Sequence, residues 1–108
     1  MYKVEDLLIY KQYLELIYYI EGILIKYPKT EKNNLCIQIK FNTYNGIKLI
    51  IKAQKLKDNK IRLRVLGELD VCLKMQKVLI RVSKKKNYIN AKNYAAWSKK
   101  LTNISNLL

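Results

Sequence analysis

The chain has 108 residues, 50% of them hydrophobic, and a formal charge of +14 from 22 basic and 8 acidic side chains, with no histidine at all. That length supplies one core and predicts a single domain over residues 1–108. The missing histidine excludes imidazole acid–base chemistry and histidine metal ligation. The charge is uneven. Residues 1–31 hold four lysines against five carboxylates, a net of −1, so everything after them carries +15. Such a surplus points to an anionic partner, nucleic acid first, although lysine by lysine it reads equally as a solvated surface.

The first predicted element is a helix over about residues 5–26. Ile9, Tyr13, Leu16, Ile20 and Ile23 recur at intervals of four and three, the period of one helical face, and Leu14, Ile17 and Leu24 widen it. Tyr10, Tyr18 and Tyr19 add apolar surface outside that stripe, more than one small core consumes, and are candidate residues of a subunit interface. Tyr27-Pro28-Lys29 ends the helix, and Thr30 is the expected cap of the next.

The second helix is expected over about 31–57. Cys36, Ile39, Thr43, Gly46, Ile50 and Ala53 keep a three-four spacing through CIQIKF and IKLIIK, two strings that read locally as strands. Helix is preferred because the phase persists and Gly46 has no turn partner, and Gly46 marks a kink or a close crossing with a neighbour. Lys48, Lys52 and Lys55 form a basic row on this helix. A link follows, with Asp58 or Asn59 as cap.

The third helix, about 61–85, places Val65, Leu69, Cys72, Leu79 and Val82 near one side, with Gln76 interrupting the neighbouring row. Its end, KMQKVLIRVSKKK, carries Lys74, Lys77, Arg81 and Lys84 at three-four-three spacing. This second basic row and the first sit on helices joined by a short link, and one side of the bundle can hold both. Arg62, Arg64 and Arg81 rank above the lysines, because a planar guanidinium grips a phosphate with two bonds. The fourth helix, about 91–108, has the cleanest stripe: Tyr94, Trp97, Leu101, Ile104 and Leu108. Four amphipathic helices on short links predict an all-α, antiparallel, up-and-down four-helix bundle.

No catalytic constellation emerges. Cys36 and Cys72 are isolated and read as reduced core thiols. No metal ligand set, no Glu-x-x-His pair and no phosphate-cradling glycine loop is present, so neither metal, cofactor nor catalysis is expected. No apolar run approaches the roughly 18 residues of a membrane span, and a cytoplasmic location is expected. No base-reading motif appears, so binding to RNA, DNA or their hybrid would be directed at the backbone and poor in sequence preference.

Four segments in order, DLLIYKQYLELIYYIEGILIKYPKTEK, IIKAQK, LDVCLKMQKVLIRVS and YAAWSKKLTNISNLL, resemble the accessory variability determinant family of diversity-generating retroelements. The related ribosomal RNA intervening-sequence proteins are similar four-helix bundles. The resemblance implies a ring-like homopentamer with a basic surface, bound to a reverse transcriptase and to template RNA or its hybrid with complementary DNA. Residue by residue it carries Asp70, Lys74 and Arg81, with Asp70 orienting a basic neighbour across a subunit interface. The rival reading is an oligomeric scaffold for a protein partner with no retroelement role.

Overall fold

The computed structural model describes residues 4–108, as four helices: α1 (Val4–Leu24), α2 (Leu35–Lys55), α3 (Asn59–Lys85) and α4 (Ala91–Ser105). No strand occurs among the described residues, so CIQIKF and IKLIIK are both helical. Each helix packs on the next, and α4 closes the bundle against α1. Cross-contacts fix directions and register. Gln54 near the end of α2 donates to the Asp6 carbonyl near the start of α1 (2.7 Å), so these two run antiparallel. Ser105 near the end of α4 reaches Asp70 (3.3 Å) while Trp97 reaches Gln76 (3.1 Å), so α3 and α4 do too. Asn42 in mid-α2 donates to Cys72 O in mid-α3 (3.1 Å) and sets their register.

The helix ends follow local chemistry. Asp58 caps α3 by accepting from the amides of Lys60 and Ile61 (2.8 and 3.2 Å), which lets the helix begin at Asn59, two residues before the expected start. At its other end Asn87 adopts the left-handed conformation (φ 62) that asparagine tolerates, and the Tyr88 amide bonds back to Ser83 O (2.9 Å). Asn90 then caps α4 through the Asn93 amide (2.7 Å).

Thr30 is not the cap of α2. Residues Lys29–Glu31 instead form a 3-10 turn behind Pro28, and α2 begins only at Leu35. The later start has a cause: Glu31 is buried and committed elsewhere. It accepts from Tyr88 Oη (2.7 Å) and Asn34 Nδ2 (3.1 Å) and pairs with Lys86 (3.4 Å), joining the α1–α2 link to the α3–α4 link. The Tyr88 hydroxyl, then Asn34 and Lys86, hold its carboxyl below the ordinary glutamate range. Beside it the Tyr27 ring packs at 5.5 Å against Tyr88, tilted by 51°, and its hydroxyl donates to Ser83 Oγ (2.7 Å); burial pushes its phenol up to about 12.

The core is apolar with one polar thread. Trp97 Nε1 donates to Gln76 Oε1 (3.1 Å), and Gln76 Nε2 donates to Asn42 Oδ1 and Thr43 Oγ1 (2.8 and 2.9 Å), so one buried glutamine links α4, α3 and α2. Tyr13 brings in α1, donating to Thr43 O (2.6 Å). Its ring lies over Gly46, where a Cβ would sit 1.9 Å from Tyr13 Oη. Gly46 is therefore the close crossing its sequence context suggests, because only a residue without a side chain admits the tyrosine. Cys36 and Cys72 are free and buried, and burial pushes both thiols up.

Candidate nucleic-acid interface

The α3 row is positioned by the helical period. Leu69, Leu73, Gln76 and Ile80 point inward, and Asp70, Lys77 and Lys84, advanced by about 60–100° around the axis, border α4. Lys77 Nζ donates to Thr102 Oγ1 on α4 (2.9 Å), and Ser105 donates to Asp70 Oδ1 (3.3 Å), which places this border along the α3–α4 seam. Lys74 and Arg81 stand further out, both exposed. Across the seam α4 exposes Lys92 and Lys99, with Ala95, Thr102 and Asn106 between and beside them. Lys74 to Lys84 covers roughly 15 Å of helix at 1.5 Å per residue. One strand of a duplex presents about four phosphates over that length.

Electrostatically the seam is one-sided. Lys74, Lys77, Arg81, Lys84, Lys92 and Lys99 lie along or beside it with one carboxylate, Asp70, and no Asp or Glu follows Asp70 in the sequence. Lys74 bonds to Asp70 and, with Ser105 and Lys77, holds the Asp70 carboxyl below the ordinary aspartate range.

The other expected residues divide. Lys48, Lys52 and Lys55 are exposed on the outer side of α2 and do not join the α3 row. The antiparallel register that sets Asn42 against Cys72 and Gln76 puts them level with the first turns of α3, about 20–30 Å along the axis from Arg81. The two rows thus lie on different sides of the bundle, although their spacing along the chain allows a shared one. Arg64, exposed, lies near the α2 row. Arg62 is turned inward and pairs with Asp6 (2.7 Å) with its side chain only 25% exposed, so it offers little to an outside phosphate. Lys100 is drawn to the other flank of α4, 5.1 Å from the centre of the Tyr19 ring.

The expected interface residues also separate. Tyr18 is 69% exposed and Tyr10 is at the margin of exposure, while Tyr19 is packed inside, edge-on to Trp97 (6.2 Å, 76°) with its hydroxyl on Asn93 O (3.3 Å). Asp70 bonds within its own chain. Periodicity alone did not reveal a broad apolar surface centred on the outer side of α2. Ile37, Phe41, Tyr44 and Ile51 are exposed there, flanked by Tyr18 and Ile25 at the α1 edge and by Val71, Met75, Val78 and Val82 on α3. Among the described residues, every exposed large hydrophobic side chain before Leu108 belongs to α1, the turn that follows it, α2 or α3. The signal was available as the flanking Ile37, Phe41, Tyr44 and Ile51 of the second helix, a second apolar stripe opposite the first.

No group of three His, Cys, Asp or Glu side chains suited to a metal occurs among the described residues, and none of their helices is long and apolar enough to cross a membrane. No curated protein and no solved structure matches the chain. A family model described as bAvd-like matches residues 7–108, which takes in nearly all of the four segments of the resemblance and both faces just described. The chain belongs to the bAvd-like family.

Proposed function

We propose that this protein is a non-catalytic, cytoplasmic accessory subunit that assembles as a homopentamer, binds RNA, DNA or their hybrid without sequence preference, and acts with a reverse transcriptase in retroelement-directed diversification. The observation that carries the reading is the segregation of the surface. Apolar side chains gather around α2, and cations without carboxylates gather along the α3–α4 seam beyond Asp70. An assembly that covers the first surface leaves the second facing solvent, where Lys74, Lys77, Arg81 and Lys84 meet phosphates. Membership in the family supports the partnership with a reverse transcriptase.

The test is binding of labelled RNA, DNA and hybrid across a salt series. Affinity falls steeply with salt as counterions are released. Replacing Lys74, Lys77 and Arg81 together weakens all sequences alike, with helicity and particle size unchanged. The rival reading, an oligomeric scaffold for a protein, is favoured by one observation: Lys48, Lys52 and Lys55 lie beside apolar Ile51, on the α2 side rather than along the seam. Absence of any binding at about 50 mM salt, a condition under which phosphate contacts are strong, removes the nucleic-acid reading and leaves the scaffold, whose surplus charge then needs a protein partner.

A further inference from the structure

The α3 row is not uniform. Asp70 sits at its N-terminal end with its carboxylate wedged between α3 and α4, its side chain 33% exposed, accepting from Ser105 on one oxygen and from Lys74 on the other. A carboxylate anchored in this way cannot swing clear of an approaching phosphate. Lys74 extends from it, and Lys77, the next cation, donates to Thr102 and lies within the Asp70 field. Arg81 and Lys84, one and two turns further on, have no bonded partner among the described residues, and no carboxylate follows them. An exposed lysine–aspartate pair at this spacing contributes little to stability. Its effect is on the potential: a phosphate reaching Lys74 meets an anion at the same spot.

We propose that Asp70 is a positioning residue that ends the phosphate-binding footprint, centring it on Arg81, Lys84 and the α4 lysines and weakening the hold of Lys74 and Lys77 on phosphate. The proposal rests on the nucleic-acid reading of the seam. It differs from a general charge effect because Glu68, the other carboxylate of this region, is exposed two residues away, about 200° around the helix from Asp70 and off the seam.

The experiment measures affinity of the full chain for a labelled 20-nucleotide single-stranded RNA over a salt series and takes the slope of log affinity against log salt. Asp70→Asn, which keeps an acceptor for Ser105, steepens the slope by about 0.7 for each further phosphate neutralised. Asp70→Glu restores the wild-type slope, and Glu68→Gln leaves it unchanged. Lys74→Gln with Lys77→Gln alters the wild-type slope less than Arg81→Gln with Lys84→Gln does, and it removes the steepening caused by Asp70→Asn. An unchanged slope in Asp70→Asn, or an equal change in Glu68→Gln, overturns the role of Asp70 while binding itself stands. Wild-type protein that does not bind overturns both readings. Should Asp70→Asn fail to fold, the two pairs replaced in the wild-type background decide: a smaller change for Lys74 with Lys77 supports the footprint boundary, and an equal or larger one refutes it.

Discussion

α2 and α4 are diagonal partners in the bundle, and their inner sides are alike. Ile39, Thr43, Gly46 and Ile50 on one and Trp97, Leu101 and Ile104 on the other are all buried. Their outer sides differ. α2 exposes Ile37, Phe41 (76%), Tyr44 and Ile51 among Lys40, Lys48, Lys52 and Lys55, where α4 exposes Lys92, Ala95, Lys99 and Asn103 and no large hydrophobic side chain. A three-four period therefore locates the core of a helix but says nothing of what its other side meets. α4 has the outer side of a helix bounded by water, and α2 has an apolar stripe set among lysines.

The sharpest way to break this comparison is to charge each outer side in turn. If the proposed assembly covers the α2 side, Phe41→Glu with Val78→Glu reduces it to a particle near 12.8 kDa in sedimentation, because each covered apolar side chain contributes about 1.5–3 kcal/mol and a buried carboxylate costs more. Ala95→Glu with Thr102→Glu on α4 leaves particle size unchanged. Equal behaviour of the two pairs would remove the distinction between the helices.

A smaller effect separates the crowded inner side of α2 from the open outer sides of α1 and α3. Gly46→Ala drives a methyl group into Tyr13 and destabilises the chain by about 1–3 kcal/mol in denaturant titration. Gly22 and Gly67 have nothing within 4 Å of the place a methyl group would take, so alanine there stabilises its helix by roughly 0.5–1 kcal/mol.

The smallest expected effect lies at the end of the bundle where the links of the two halves meet. Because its partners depress the Glu31 pKa in the folded chain, its contribution is present above the ordinary glutamate range and is lost as pH falls through the depressed value. Melting temperature measured against pH should therefore decline less on acidification in Glu31→Gln than in wild type. The same acid dependence in both proteins would show that Glu31 does not hold the links together.

Much of this architecture was legible in the sequence, and the exceptions share a cause. Helix identity, the Asp58 cap and the crossing at Gly46 depend on neighbours along the chain or on a gap in side-chain volume, and both are visible in one dimension. Tyr18 and Tyr19 are adjacent and chemically identical, yet 100° of rotation sends one to solvent and the other to Trp97. Gln76 reads as an interruption because its partners, Asn42, Thr43 and Trp97, lie on other helices. The two basic rows can merge on paper, and only the register of α2 on α3 sets them apart. For the seam, the sequence supplied the charges and their phase, and the packing of α4 showed which of them Asp70 accompanies.

The chain has one tryptophan, fully buried and hydrogen-bonded to Gln76 at the meeting point of three helices. Its fluorescence is consequently an optical gauge of the interior alone. Emission should shift when the bundle opens and stay constant when an anion docks along the outer seam, so unlabelled protein can report unfolding by its own light while a dye on a nucleic-acid probe tests the proposed capture.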